Sequence, residues 1–141
     1  MQLIGFNLSK ISAEKFNKQI KKGNQNINFE FTELEKEKIS LLKNGEALKI
    51  YFTHTLSVED EEKKEEKQSE IIFQGNIILT VTKEELKPLM KSWKKKQIPN
   101  PLRVFLSNVI LQKCTPQTVG LQHELNIPSH VPLPRVNIGK D

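Results

Sequence analysis

The chain carries a single cysteine, Cys114, and only two arginines, Arg103 and Arg135, among 141 residues. One thiol excludes any disulfide within the chain. Scarce arginine weakens the case for a strong nucleic-acid binder, which uses the guanidinium for bidentate contacts to phosphate and guanine. The six glycines (5, 23, 45, 75, 120 and 139) are isolated, so no glycine-rich loop is present to cradle a phosphate. No proline occurs before Pro88. Uninterrupted apolar runs stop at three residues, as in Ile77-Ile78-Leu79, where roughly 18 are needed to span a bilayer. The opening Met1-Gln2-Leu3-Ile4-Gly5-Phe6-Asn7 lacks both the basic start and the apolar stretch of a signal peptide. A cytoplasmic protein without membrane insertion is the expectation.

Chemistry-bearing constellations are equally scarce. His54, His123 and His130 have no metal-ligand spacing, and Cys114 has no second cysteine to work with. Cys114 and His123 stand nine residues apart, a separation that admits a nucleophile pair but fits a buried inert thiol better. His54 falls on the apolar face of a strand and reads as a structural histidine rather than a ligand or proton switch. No catalytic residue, metal or cofactor is expected, and the chain does not read as an enzyme.

What is present is periodicity. Hydrophobic residues make up 36%, with seven Phe, one Trp and one Tyr, enough for one modest core. Ile4, Phe6 and Leu8 alternate with polar residues, as do Ile27, Phe29 and Phe31, with the turn-rich Lys21-Lys22-Gly23-Asn24 between the two sets. Beyond Lys43-Asn44-Gly45, Leu48, Ile50, Phe52, His54, Leu56 and Val58 share one strand face. Lys49, Tyr51, Thr53, Thr55 and Ser57 share the other. Ile71, Phe73, Gly75, Ile77, Leu79 and Val81 repeat the pattern, and Ile72 and Ile78 make the second face of that strand partly apolar. The two runs form a long antiparallel hairpin with a solvated, mobile tip, Glu59–Gln68.

Helical spacing follows. Thr82-Lys83-Glu84-Glu85 has the form of a capping box, and Leu86, Leu89, Met90 and Trp93 keep the i, i+3, i+4, i+7 rule despite an awkward Pro88. Asn100-Pro101 opens a second helix as cap and first residue, with Leu102, Phe105, Leu106, Val109 and Ile110 as its buried stripe. That helix is expected to bend or restart at Thr115-Pro116 and to end near Leu125. Three prolines in Pro128–Pro134 keep the tail extended. The reading is one domain, 1–141: strands over about 2–81, helices over about 83–125, and an extended segment 127–138. Its class is α+β, a four-stranded antiparallel sheet followed by two helices.

The formal charge of +5 is unevenly spread. Glu59–Glu66 (EDEEKKEE) holds six acids and two lysines, whereas Lys83–Lys96 holds six lysines and two glutamates. Lys91, Lys94, Lys95 and Lys96 surround Trp93. Such a mix could meet phosphates and stack a base, but a half-buried Trp93 with lysine stems laid over it is the plainer reading.

Four strands with a long hairpin, two helices and a proline-punctuated terminus, Leu125-Asn126-Ile127-Pro128 and Pro132-Leu133-Pro134-Arg135-Val136-Asn137, resemble the SecB family of export chaperones and its SecB-like relatives. The tail is also similar to that of archaeal proteins ending in a Pro-Leu-Pro-Arg segment. The resemblance implies helices backing the sheet, assembly as a dimer or dimer of dimers, and apolar grooves that hold non-native polypeptides without ATP. One departure is visible. Family members are acidic and dock on the secretory ATPase through acidic sheet residues, whereas this chain is basic with its acids grouped in a loop. Candidate polypeptide-binding residues are Phe29, Phe31, Tyr51, Ile72, Ile78 and Trp93. The competing reading is a nucleic-acid or ribonucleoprotein accessory acting through the Lys91–Lys96 helix end. An enzyme acting through Cys114 ranks last.

Overall fold

The computed structural model describes residues 1–21, 23–37, 45–63 and 66–139. Lys22, Lys43 and Asn44 of the expected turns, and Lys64 and Glu65 of the expected hairpin tip, lie outside the described residues. Four strands come first, β1 (Gln2–Lys15), β2 (Gly23–Glu37), β3 (Gly45–Asp60) and β4 (Lys67–Thr82). Two helices follow, α1 (Lys83–Trp93) and α2 (Asn100–Glu124). The class is α+β, a four-stranded antiparallel sheet followed by two helices.

The hairpin β3–β4 is the centre of the sheet. Leu48 faces Leu79, Ile50 faces Ile77, His54 faces Phe73 and Leu56 faces Ile71 across it. All eight are at most 4% exposed, because α1 and α2 cover this side with Leu86, Leu89, Leu102, Leu106 and Ile110. Each such apolar side chain stabilises the fold by about 1.5–3 kcal/mol relative to full exposure. Phe52 faces Gly75, not a side chain, which leaves room for the Phe6 ring of β1 to stack on Phe52 at 5.6 Å. A methyl at Gly75 would also stand 2.0 Å from the Asn7 carbonyl oxygen, so only glycine lets β1 close on β4 here.

The strand order is β1-β4-β3-β2, a Greek-key arrangement in which the first strand lies beside the last. The segment between β1 and β2 is therefore no tight turn. It crosses the end of the β3–β4 hairpin from one sheet edge to the other. Gln68 pins that crossing. Its side-chain carbonyl accepts from the Lys21 amide at 2.7 Å, and its amide group donates to the Lys21 carbonyl at 3.1 Å. The Phe16 amide donates to the Gln68 main-chain carbonyl at 2.8 Å. Gln68 is fully buried within β4, which corrects its expected place in a solvated tip. The strands run to Asp60 and resume at Lys67, so the tip is shorter than Glu59–Gln68. A polar side chain inside a charged loop carries no apolar signal, and its burial comes from a backbone brought in by the topology.

The capping box is present. Glu85 N donates to Thr82 Oγ1 at 3.1 Å and Thr82 N donates to Glu85 Oε1 at 3.0 Å. At α2 three expectations change. Pro99, not Asn100, is the cap residue, and no side chain caps the helix. Phe105 is 40% exposed and stands outside the buried stripe, which continues instead through Cys114, Thr118 and Gln122. The helix also runs unbroken through Pro116. Both helices end in a left-handed residue, Lys96 (φ 57°) and Asn126 (φ 56°). A main-chain bond spanning five residues closes each end, Gln97 N to Ser92 O at 3.1 Å and Ile127 N to Gln122 O at 2.8 Å. Beyond α2, residues 127–139 form neither helix nor strand.

Gln68→Ala leaves the Lys21 amide and carbonyl without partners at the crossing. We expect a loss of about 2–3 kcal/mol, read as a lower urea midpoint at unchanged slope, whereas Gln74→Ala on the half-exposed face should cost little.

Candidate functional site

The six candidate residues are all half-buried, but they do not form one groove. Strand parity divides them. Phe29 and Phe31 face the helices with Trp93, each packed against the core cluster. Tyr51, Ile72 and Ile78 face away from the helices. On that outer face Tyr51 stands opposite Asn76, one diagonal step from Ile78, while Ile72 stands opposite Thr55. Gln74 and Asn76 interrupt the apolar row between Ile72 and Ile78. The outer patch is thus two small apolar spots in polar surroundings.

The helix-side group is more continuous. β2 is an edge strand, hydrogen-bonded only to β3, so its other edge presents main-chain donors and acceptors. Beside it lies an open cleft of about 420 Å³ lined by Phe29, Glu30, Phe31, Thr32, Lys96 and Arg103. Arg103 ties α2 to the strand. Its Nη2 donates to the Phe29 carbonyl at 3.1 Å, and its guanidinium lies 5.4 Å from the Phe31 ring centre. Lys96 Nζ stands 4.9 Å over the Trp93 ring. Trp93 is therefore linked to the cleft through Lys96, and the lysine–tryptophan group adopts the stacked arrangement in which the lysine covers the ring. Lys91, Lys94 and Lys95 are exposed.

Arg103 escaped the sequence reading as a site residue. Its position one residue beyond the buried Leu102 marks it as surface-facing, but the strand beneath it follows from the sheet order, which the alternation does not encode. A second correction concerns the acids. They are not confined to the hairpin loop: Glu33, Glu35 and Glu37 pair with Tyr51, Lys49 and Ala47. Tyr51 Oη donates to Glu35 Oε2 at 3.2 Å and Lys49 Nζ meets Glu37 Oε1 at 3.2 Å, so β2 presents carboxylates on the outer face.

His54 is buried between two rings, 4.7 Å from Phe29 at 8° and 5.9 Å from Phe73 at 15°. Its Nδ1 lies 3.2 Å from the Asn28 carbonyl. It carries the structural role expected of it. Burial lowers its pKa, the bond to Asn28 opposes this, and the nearby His130 lowers it further. His130 is also lowered by burial, and its Nδ1 meets Gln122 Oε1 at 3.0 Å. Cys114 is fully buried, and burial pushes its thiol up to about 11, where little nucleophilic thiolate exists at neutral pH. Among the described residues no group of three or more His, Cys, Asp or Glu could hold a metal ion. No helix among them is long and apolar enough to cross a membrane.

No protein-family model and no curated protein matches the chain in sequence. Among solved structures it is similar to the SecB-like chaperone Rv1957 of Mycobacterium tuberculosis, captured in complex with a ChAD peptide from the Rv1956 HigA1 antitoxin. The TM-score is 0.52 at 12% identity, over 99% of this chain and 92% of that one. The fold is SecB-like.

The histidines supply a pH test. With its folded pKa below the ordinary value of about 6.5, His54 takes up its proton more readily in the unfolded chain. Stability is then full above about pH 6.5 and falls as pH drops toward the folded value. Urea midpoints between pH 7.5 and 5 should show this decline, and His54→Gln should flatten it.

Proposed function

We propose that the chain is a SecB-like binder of non-native polypeptides that acts without ATP. The observation that carries this reading is the free edge of β2 with Phe29 and Phe31 half-exposed beside it. An extended chain can add to such an edge through main-chain hydrogen bonds while alternate side chains enter the aromatic cleft. The SecB-like fold agrees with it, since the similar Rv1957 structure is that of a chaperone holding a peptide. The clefts along the described residues are open and shallow, as suits a passive holder better than a catalyst. Phe29, Phe31 and Trp93 form the main client surface in this proposal, with Tyr51, Ile72 and Ile78 as a separate patch on the other face. A cytoplasmic location and kinship with archaeal proteins ending in Pro-Leu-Pro-Arg belong to the same proposal.

The protein should slow aggregation of an unfolded test protein at near-equimolar ratio without nucleotide, and should still do so at about 0.5 M salt, where exposed charge contacts are screened. Phe31→Ser should weaken this holding, and comparison with the Ile72→Ser, Ile78→Ser double variant separates the two faces. No suppression at any ratio, together with salt-sensitive RNA binding, would move the function to a nucleic-acid accessory working through Lys91–Lys96.

Self-association is the second part of the proposal. β1 is the other sheet edge, and Leu3, Ile4, Ile11 and Phe16, on or just beyond it, are 38–48% exposed. An unpaired strand with exposed apolar side chains is a template for a second copy. Sedimentation equilibrium at micromolar concentration should give a dimer or tetramer, and Ile4→Lys with Ile11→Lys should shift it toward 16.3 kDa.

A further inference from the structure

We propose that the β2 cleft selects extended segments carrying an acidic side chain, which Arg103 and Lys96 receive beside the Phe29 and Phe31 rings. The proposal deepens the polypeptide-binding reading and rests on it. Two cations and two aromatic rings line one cleft, and neither cation pairs with a carboxylate among the described residues. Arg103 is fixed in place by the Phe29 carbonyl and the Phe31 ring. Only one of its five N–H donors is used there, so a preoriented guanidinium awaits a carboxylate, with little further loss of side-chain freedom on binding.

Lys96 adds an independent observation. It occupies the left-handed position that ends α1, with φ 57°, where glycine is unstrained and most L residues are strained. A long cationic side chain is kept at that place, over Trp93 and at the cleft wall. Glu30 is the one acid in the lining. Opposed by two cations, it moderates the attraction without reversing its sign. A client residue that is acidic and adjoins an aromatic or aliphatic neighbour in an extended strand therefore fits both the charge and the rings.

The test is fluorescence anisotropy of the full chain with three labelled extended peptides, identical except for Glu, Gln or Lys at one position next to a phenylalanine. At low salt the Glu peptide should bind roughly tenfold tighter than the Gln peptide, as expected for one charge-assisted contact. About 0.5 M salt should erase that difference while leaving the Gln peptide bound. Lys96→Gln, which breaks no hydrogen bond of the described structure, should reduce the preference. Arg103→Gln should bring the ratio of Glu-peptide to Gln-peptide affinity to one, whatever it does to the affinity for the Gln peptide, and Glu30→Gln should increase that ratio. Circular dichroism and urea midpoints check that each variant is folded. Equal affinities for the Glu and Gln peptides, or a preference for the Lys peptide, overturn acid selection while intact aggregation suppression leaves the holding function standing. Absence of both peptide binding and suppression overturns the two together. Tighter, Arg103-dependent binding of a single-stranded RNA oligonucleotide than of any peptide assigns the cleft to nucleic acid instead.

Discussion

The structure depends on the one-sided burial of the β3–β4 hairpin. Leu48, Ile50, Phe52, Ile71, Phe73, Ile77 and Leu79 are all at most 2% exposed, and a one-residue slip between the strands would turn every one of them to the outer face. Register is thus held by the whole row at once. The helices follow from the same constraint, since a sheet face this apolar must be covered and α1 begins directly where β4 ends. So does the placement of the cleft. Covering the centre of the face leaves the outermost strands half-sheltered, and Phe29, Phe31 and Trp93 stand where the cover runs out.

A short set of devices joins the edge strands to that centre. On one side Gly75 lets β1 approach and lets Phe6 reach Phe52. On the other, the His54 imidazole stacks between Phe73 of the hairpin and Phe29 of β2 as a third aromatic ring. Gln68 binds the chain that passes from one edge to the other. A methyl at Gly23 would lie 1.9 Å from the Glu59 carbonyl oxygen, so the crossing also depends on close backbone approach where β2 begins. These contacts join residues far apart in sequence. They make the edges firm without pairing their outer sides, as a surface open to another strand requires.

The elements themselves were legible in the sequence. Strand alternation over Leu48–Val58 and Ile71–Val81, and the Thr82–Glu85 capping box, are local patterns set by local geometry. Strand order was not legible, because alternation states which residues share a face and not which strand lies beside which. What depended on order was missed with it: the burial of Gln68 and the contact of Arg103 with β2. Phe105 was misplaced for a different reason. A helix this long drifts around its axis, and the stripe that starts at Leu102 turns toward Cys114, Thr118 and Gln122, which hydrophobicity alone does not select.

The division between two faces bears on how one small chain could hold another. In the proposed binding mode, alternate residues of a client lying against β2 meet the aromatic rings on the helix side, and the residues between them meet the outer side. There the client would meet Glu33 and Glu35, with Tyr51 committed to Glu35. The two sides of the same edge therefore differ in charge: cations and rings toward the helices, carboxylates toward the open sheet. An extended segment with acidic and aromatic residues on one face and basic residues on the other satisfies both at once, and the reversed segment satisfies neither. A one-residue shift of the client exchanges its faces, so charge on the two sides of β2 would fix the register of a bound chain even where apolar contact alone is indifferent to it.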